Sequence, residues 1–353
     1  MRCAKPTCSP TVVLAVAAIA IALATCALYT RDVLWKVAFT LFLAVACHSL
    51  APSHPAATPV VWALVTSAAG DACLSLAGPQ AGQKRGVAGA DDEDGGGAAG
   101  AAALLFTAGI ACYWVAHVLY TTHALALLRH YRRRSINTNS ESTNNDDAVT
   151  AAAAATAGQV GVASLATSPA TCVLFLVYGP YMYLLLWPSM QVTGQPGAMQ
   201  AAVALYLGVS IVAAAAATTL SIQSASGASG ASGASGASGA SGASGASGSG
   251  RRQWRTSLCF AAGIALILLS DTLISVKDFV LPAAASATAT TSLKSPALLS
   301  WVALWLSLSP GANLSEWCHH LDTAILVTYY AAQGIIVCSM ALSRPAAVVK
   351  KTL

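Results

Sequence analysis

Charge is what this chain has least of: Asp, Glu, Lys and Arg make up 9% of its 353 residues, against about 25% in a soluble domain. That shortage excludes a surface wetted on all sides. Also missing is any CxxC pair among the 10 cysteines, so neither a disulfide framework nor a zinc site is indicated. Cys26, Cys47, Cys73, Cys112, Cys172 and Cys338 instead sit in apolar runs and read as small core residues. There is no GxSxG elbow, no HExxH helix and no P-loop, and the run Cys318-His319-His320 is too compact for a metal site. No cofactor and no metal are expected. The net charge of +5 is dispersed over loops and gives no reason to expect nucleic acid.

What is abundant is apolar sequence in runs approaching the roughly 20 residues that cross a bilayer. Eight segments qualify, at about 11–29, 33–50, 59–77, 103–127, 169–187, 198–220, 256–276 and 322–342. The fold class expected is therefore all-α, a single polytopic membrane helix bundle over 1–353 with the lipid bilayer as its partner. Arg31, Lys36, Lys84, Arg85, Lys277 and Lys294 fall on one side of that arrangement and the remaining 12 of the 18 Lys and Arg on the other. The excess of basic residues marks the cytoplasmic side, which places both termini there and requires an even number of spans.

Residues 78–100 are Gly-rich with an acidic Asp-Asp-Glu-Asp run, and residues 129–147 pass from basic to polar. Eight consecutive Ala-Ser-Gly triplets cover 225–248; without proline they exclude a collagen helix and predict a flexible linker over 225–250. Residues 1–29 have the pattern of a signal peptide but are expected to be retained as the first span. Residues 297–308, with Trp301 and Trp305, fit an interfacial helix.

Against this apolar background two carboxylates stand out. The stretch LILLSDTLISVKDF places Asp271 inside span 7, after Ser270, and ALVTSAAGDACLSL places Asp71 inside span 3, after Gly70. A carboxylate in hydrocarbon costs roughly 2.5–3.5 kcal/mol on insertion scales. Both spans run outward, and a rise of 1.5 Å per residue puts the aspartates at about 18 and 22 Å from the inner edge. Two helices thus deliver carboxyls to one layer, the arrangement of a shared site; the plainer reading is that each aspartate binds a helix partner for packing. Span 4 adds His117 and Tyr120 on one face, where His117 serves as proton relay, phosphate ligand or hydrogen-bonded core residue. Span 8 adds Thr328, Tyr329, Tyr330 and Gln333, and span 6 adds Tyr206. Span 5 has Tyr178, Tyr181 and Tyr183, with Pro180 as an expected kink. Lys36 near the outer end of span 2 is either a site residue or a snorkelling lysine.

In this order the residues resemble the YhhN-like lysoplasmalogenase family of eight-span membrane hydrolases. The likeness rests on Lys36, Gly70-Asp71, Gly109 with His117 and Tyr120, Tyr206, Ser270-Asp271 with Phe279, and Thr328-Tyr329-Tyr330-Ala331-Ala332-Gln333. It departs from the family where Val37, not proline, follows Lys36, and in longer loops. The resemblance implies hydrolysis of the vinyl ether bond of lysoplasmalogens, releasing a fatty aldehyde and a glycerophospho-ethanolamine or -choline, in the endoplasmic reticulum. Asp71 and Asp271 would be catalytic, with Asp271, whose flanks are the more apolar, preferred as the acid. Lys36, His117, Tyr120, Tyr206, Ser270, Tyr329, Tyr330 and Gln333 would bind or orient substrate. The rival expectation is a proton-coupled transporter using the same aspartates, although no internal repeat of the kind such folds carry is evident.

Overall fold

A computed structural model describes residues 10–30, 32–51, 57–77, 96–140, 169–192, 195, 197–233, 244–283 and 314–343. Among them every secondary-structure element is a helix. The helices are α1 (Pro10–Thr30), α2 (Val33–Leu50), α3 (Ala57–Ala77) and α4 (Gly96–Ser140). Helix α5 consists of Pro169–Val173, a π-helical turn Leu174–Tyr178 and Gly179–Val192. Then follow α6 (Gly197–Gly233), α7 (Ser244–Ser275, continued by a π-helical turn Val276–Val280) and α8 (Leu314–Leu342). Seven of them are long and apolar enough to cross a membrane, from α2 through α8, and Ala15–Leu28 in α1 forms a shorter apolar stretch.

Helices α2, α3, α4, α6, α7 and α8 pack in that order as a ring, and α8 returns to α2 to close it. Helix α1 lies outside against α2 and α8, and α5 lies outside against α6 and the end of α7. The ring is inside-out relative to a soluble protein. Large apolar side chains such as Leu34, 74% exposed, and Leu104, 71% exposed, point outward, while Thr40, His117, Ser270 and Gln333 are buried within. Apolar side chains gain nothing by hiding from lipid, so helix association rests on close packing and on polar contacts.

Close packing is visible at small residues. Ala213, Ala214, Ala215, Ala216 and Ala217 of α6 are all buried. Gly70 and Gly109 bring α3 and α4 together: a Cβ at Gly70 would meet the Tyr113 ring at 2.9 Å, and one at Gly109 would meet Leu74 Cγ at 2.7 Å. Gly109→Val is therefore expected to destabilise the protein in detergent by about 1–3 kcal/mol through overpacking. Gly100 of the same helix has open space where a Cβ would stand, so Gly100→Ala should stabilise by up to about 1 kcal/mol on helix propensity. Thermal unfolding of the two variants checks the contrast.

Both π-helical turns have a local cause. Each ends two residues before a proline, Tyr178 before Pro180 and Val280 before Pro282. A proline ring clashes with the carbonyl four residues earlier in an α-helix, and widening the turn relieves the clash. The kink expected at Pro180 thus takes the form of the π turn Leu174–Tyr178.

The Ala-Ser-Gly tract, expected to be a flexible linker, is helical in its described parts, since α6 runs through Gly233 and α7 begins at Ser244. Extending an existing helix avoids the cost of nucleation, and alanine, the best helix former, offsets part of what glycine loses. Residues 234–243 of the tract, the interfacial helix expected at 297–308 and the acidic run within 78–95 lie outside the described residues.

Candidate functional site

Every helix of the ring contributes a polar side chain to one interior cluster. Asp71 of α3 accepts hydrogen bonds on both oxygens. The Tyr113 hydroxyl of α4 donates to Oδ1 at 2.5 Å, and the Tyr329 hydroxyl of α8 donates to Oδ2 at 3.0 Å. Lys36 of α2 is in electrostatic contact with the same carboxyl. Helices α3 and α8 are not neighbours in the ring, so the Tyr329 bond crosses its interior. With two phenols donating and a lysine nearby, Asp71 has the partners that an acceptor-only carboxylate satisfies.

Asp271 of α7 is held differently. His117 of α4 places Nε2 at 3.5 Å from its Oδ2, again across the ring. His117 Nδ1 lies 2.9 Å from the Tyr113 carbonyl. A carbonyl only accepts, so Nδ1 carries a hydrogen and donates. Nε2 is then the ring nitrogen that faces Asp271. Asp271 Oδ2 has no hydrogen-bond partner among the described residues, and the side chain keeps 16% of its surface exposed. Tyr206 of α6 stacks edge-on against His117 with ring centroids 5.2 Å apart and is in electrostatic contact with Asp271 and Tyr329.

The two carboxyls are thereby joined through one turn of α4. Tyr113 holds Asp71 and, four residues on, His117 holds Asp271, with the Tyr113 carbonyl fixing the histidine's tautomer. A second path runs from Asp71 through Tyr329 to Tyr206 and Asp271. Tyr113 was not singled out in the sequence, although its i, i+4 spacing to His117 was the available signal.

Other residues expected at the site have different partners. Ser270 is fully buried, and its hydroxyl donates to the Ile325 carbonyl at 3.3 Å, tying α7 to α8 away from the carboxyls. Gln333 is fully buried and accepts from the Thr40 hydroxyl at 3.1 Å, tying α8 to α2. Tyr330 packs edge-on against Phe39 at 4.6 Å and is in electrostatic contact with Asp71. Tyr120 packs edge-on near His117 at 6.4 Å. The Tyr330 hydroxyl and Gln333 Nε2 are buried with no hydrogen-bond partner among the described residues. Such atoms in a native interior call for a water, an ion or a ligand group.

Gln333→Leu distinguishes packing from binding. It removes an amide whose Nε2 is unpaired, and the Thr40 hydroxyl keeps the Lys36 carbonyl at 3.2 Å as acceptor. Replacing a poorly satisfied buried polar group by an apolar one of similar shape is close to neutral. The expected result is a stability change within about 1 kcal/mol. A loss of about 3 kcal/mol or more would show that the amide is a structural bond.

No family model, no curated protein and no solved structure matches the chain. Its seven long apolar helices, the lipid-like outer face and the inward cluster around Asp71 and Asp271 make it an integral, multi-pass membrane protein with a helix-bundle fold.

Proposed function

We propose that the protein is a lysoplasmalogenase of the YhhN-like kind, hydrolysing the vinyl ether of a 1-alkenyl lysophospholipid within the membrane of the endoplasmic reticulum. The observation that carries the reading is the unlike surroundings of two carboxyls in one polar layer: Asp71 accepts from two phenols, whereas Asp271 Oδ2 has no hydrogen-bond partner among the described residues and faces His117 Nε2 at 3.5 Å. Pairs of acids in contrasting surroundings divide into acid and carboxylate roles.

Vinyl ether hydrolysis needs that division. The Asp271–His117 pair gives its proton to the alkenyl carbon one removed from the ether-bearing carbon, leaving an oxocarbenium ion. Water adds to the ether-bearing carbon and returns its proton to the pair. The resulting hemiacetal collapses to a fatty aldehyde and the glycerol hydroxyl of the headgroup product. Asp71, anchored by Tyr113 and Tyr329, supplies negative charge across the cluster while the cation exists, and Tyr206 orients His117. The unpaired Tyr330 hydroxyl and Gln333 Nε2, with Lys36, are the groups that would meet a phosphate-bearing headgroup. General acid catalysis of this kind contributes about 10²–10⁴-fold.

Purified protein given a 1-alkenyl lysophospholipid in detergent should release aldehyde and the headgroup product in equal amounts. The corresponding saturated ether should be untouched. No aldehyde from folded protein would remove the hydrolase and favour a transporter, in which the Asp271–His117 pair carries protons across.

A further inference from the structure

Helix α5 does not seal against the seam between α6 and α7. It leaves an open groove of about 330 Å³, at the small end of the roughly 300–1,000 Å³ typical of ligand sites. Leu174 and Tyr178 of the first π turn form one wall, Ala214 of α6 and Ala265 of α7 line it with small side chains, and Leu268 leads to its end. There the Tyr178 hydroxyl meets the Thr272 hydroxyl at 2.7 Å. Most of the lining is apolar, and this polar pair marks one end.

That end adjoins the candidate site. Thr272 follows Asp271 directly in α7, Leu268 precedes Asp271 by one turn, and Tyr178 is in electrostatic contact with Asp271. Asp271 itself does not line the groove; it is reached through Tyr178 at the polar end, and its carboxyl faces His117 in the ring interior. The helices forming the groove are apolar and long enough to cross a membrane, and Leu269 of its lining is 45% exposed. The π turn is what presents Leu174 and Tyr178 to the seam, and such turns recur at functional sites.

The geometry points to this groove as the seat of the substrate's single hydrocarbon chain, entering sideways from the bilayer with its vinyl ether at the Tyr178–Thr272 end. The occupant has the groove's own pattern, an apolar chain ending in an ether oxygen, and the volume suits one chain rather than a two-chain lipid. This assignment rests on the lysoplasmalogenase reading for the identity of the chain.

The test is photolabelling, which needs no turnover. The ligand is a saturated 1-alkyl lysophospholipid with a diazirine midway along its chain, added to the full-length protein in detergent and in vesicles. Label is expected to concentrate on residues 174–178 and 261–272. Ala265 is exposed, so Ala265→Trp fills the groove from outside the core, and Ala265→Leu fills it less in case the larger change perturbs folding. Labelling of those segments should fall about tenfold in Ala265→Trp and by less in Ala265→Leu, in line with what a few methylenes decide in an apolar pocket. Label spread evenly over outward faces and unchanged by either variant would overturn the assignment, as would equal focusing of a diacyl phospholipid carrying the same diazirine. Aldehyde release without focused label would keep the hydrolase and discard the groove. Focused label without aldehyde would keep a single-chain lipid site and discard the hydrolase.

Discussion

Asp271→Asn is expected to lower aldehyde release by about 10²–10⁴-fold with helix content and detergent elution unchanged. Asparagine has the shape of aspartate and can still meet His117 Nε2, which lies 3.5 Å from Oδ2. It cannot deliver a proton to carbon. Oδ2 has no hydrogen-bond partner among the described residues, and asparagine keeps one oxygen to accept from Tyr206, which bonds this carboxyl, so stability should hold. His117→Gln should give a smaller loss, since Asp271 would keep its carboxyl but lose the imidazole that faces it. A measured pH profile separates the two variants, because only the histidine variant removes the partner through which the acid is reprotonated. An Asp271→Asn protein that unfolds would instead assign the carboxyl to helix packing.

Asp71→Asn is expected to cost both activity and stability, about 1–3 kcal/mol of the latter. Both Asp71 oxygens accept phenolic hydrogens, and asparagine replaces one acceptor with an NH₂ that only donates, so one phenolic hydrogen loses its acceptor. The sign can be tested further. Adding Tyr113→Phe or Tyr329→Phe to Asp71→Asn removes the hydroxyl left without an acceptor and should recover part of the lost stability. Each phenylalanine change alone should be destabilising. Such a coupling, measured as a double-mutant cycle, is the signature of a direct bond. Additive effects would contradict the bonding described.

The membrane character and the two aspartates were legible because both depend on contrast. A carboxylate in an apolar run has no ordinary explanation, and a chain with so little charge has few other places to carry chemistry. His117, Tyr206 and Tyr329 stood out for the same reason and fall in the interior cluster. Tyr113 did not, because an aromatic residue in an apolar span reads as packing until its hydroxyl is seen on Asp71. Ser270 was grouped with the carboxyls because it precedes Asp271, and Gln333 because it lies one turn from Tyr329 at the depth of the aspartates. A helix turns about 100° per residue, however, and Ser270 faces Ile325 while Asp271 faces His117. Ring closure by α8 on α2, and the seating of α5 outside it, depend on contacts between distant segments that no local pattern encodes. The π turns were half legible: proline marked where the helices deform, but whether the deformation is a bend or a widened turn is decided by packing.

The central claim is that a proton from the Asp271–His117 pair goes to carbon. Hydrolysis of a 1-alkenyl lysophospholipid in D₂O, with the aldehyde reduced as it forms and weighed by mass spectrometry, tests this most directly. One deuterium on the carbon next to the former aldehyde carbon is the predicted result, absent from a control in which preformed aldehyde is taken through the same conditions. Aldehyde without that deuterium would contradict protonation at carbon, and no aldehyde from folded protein would contradict the hydrolase itself.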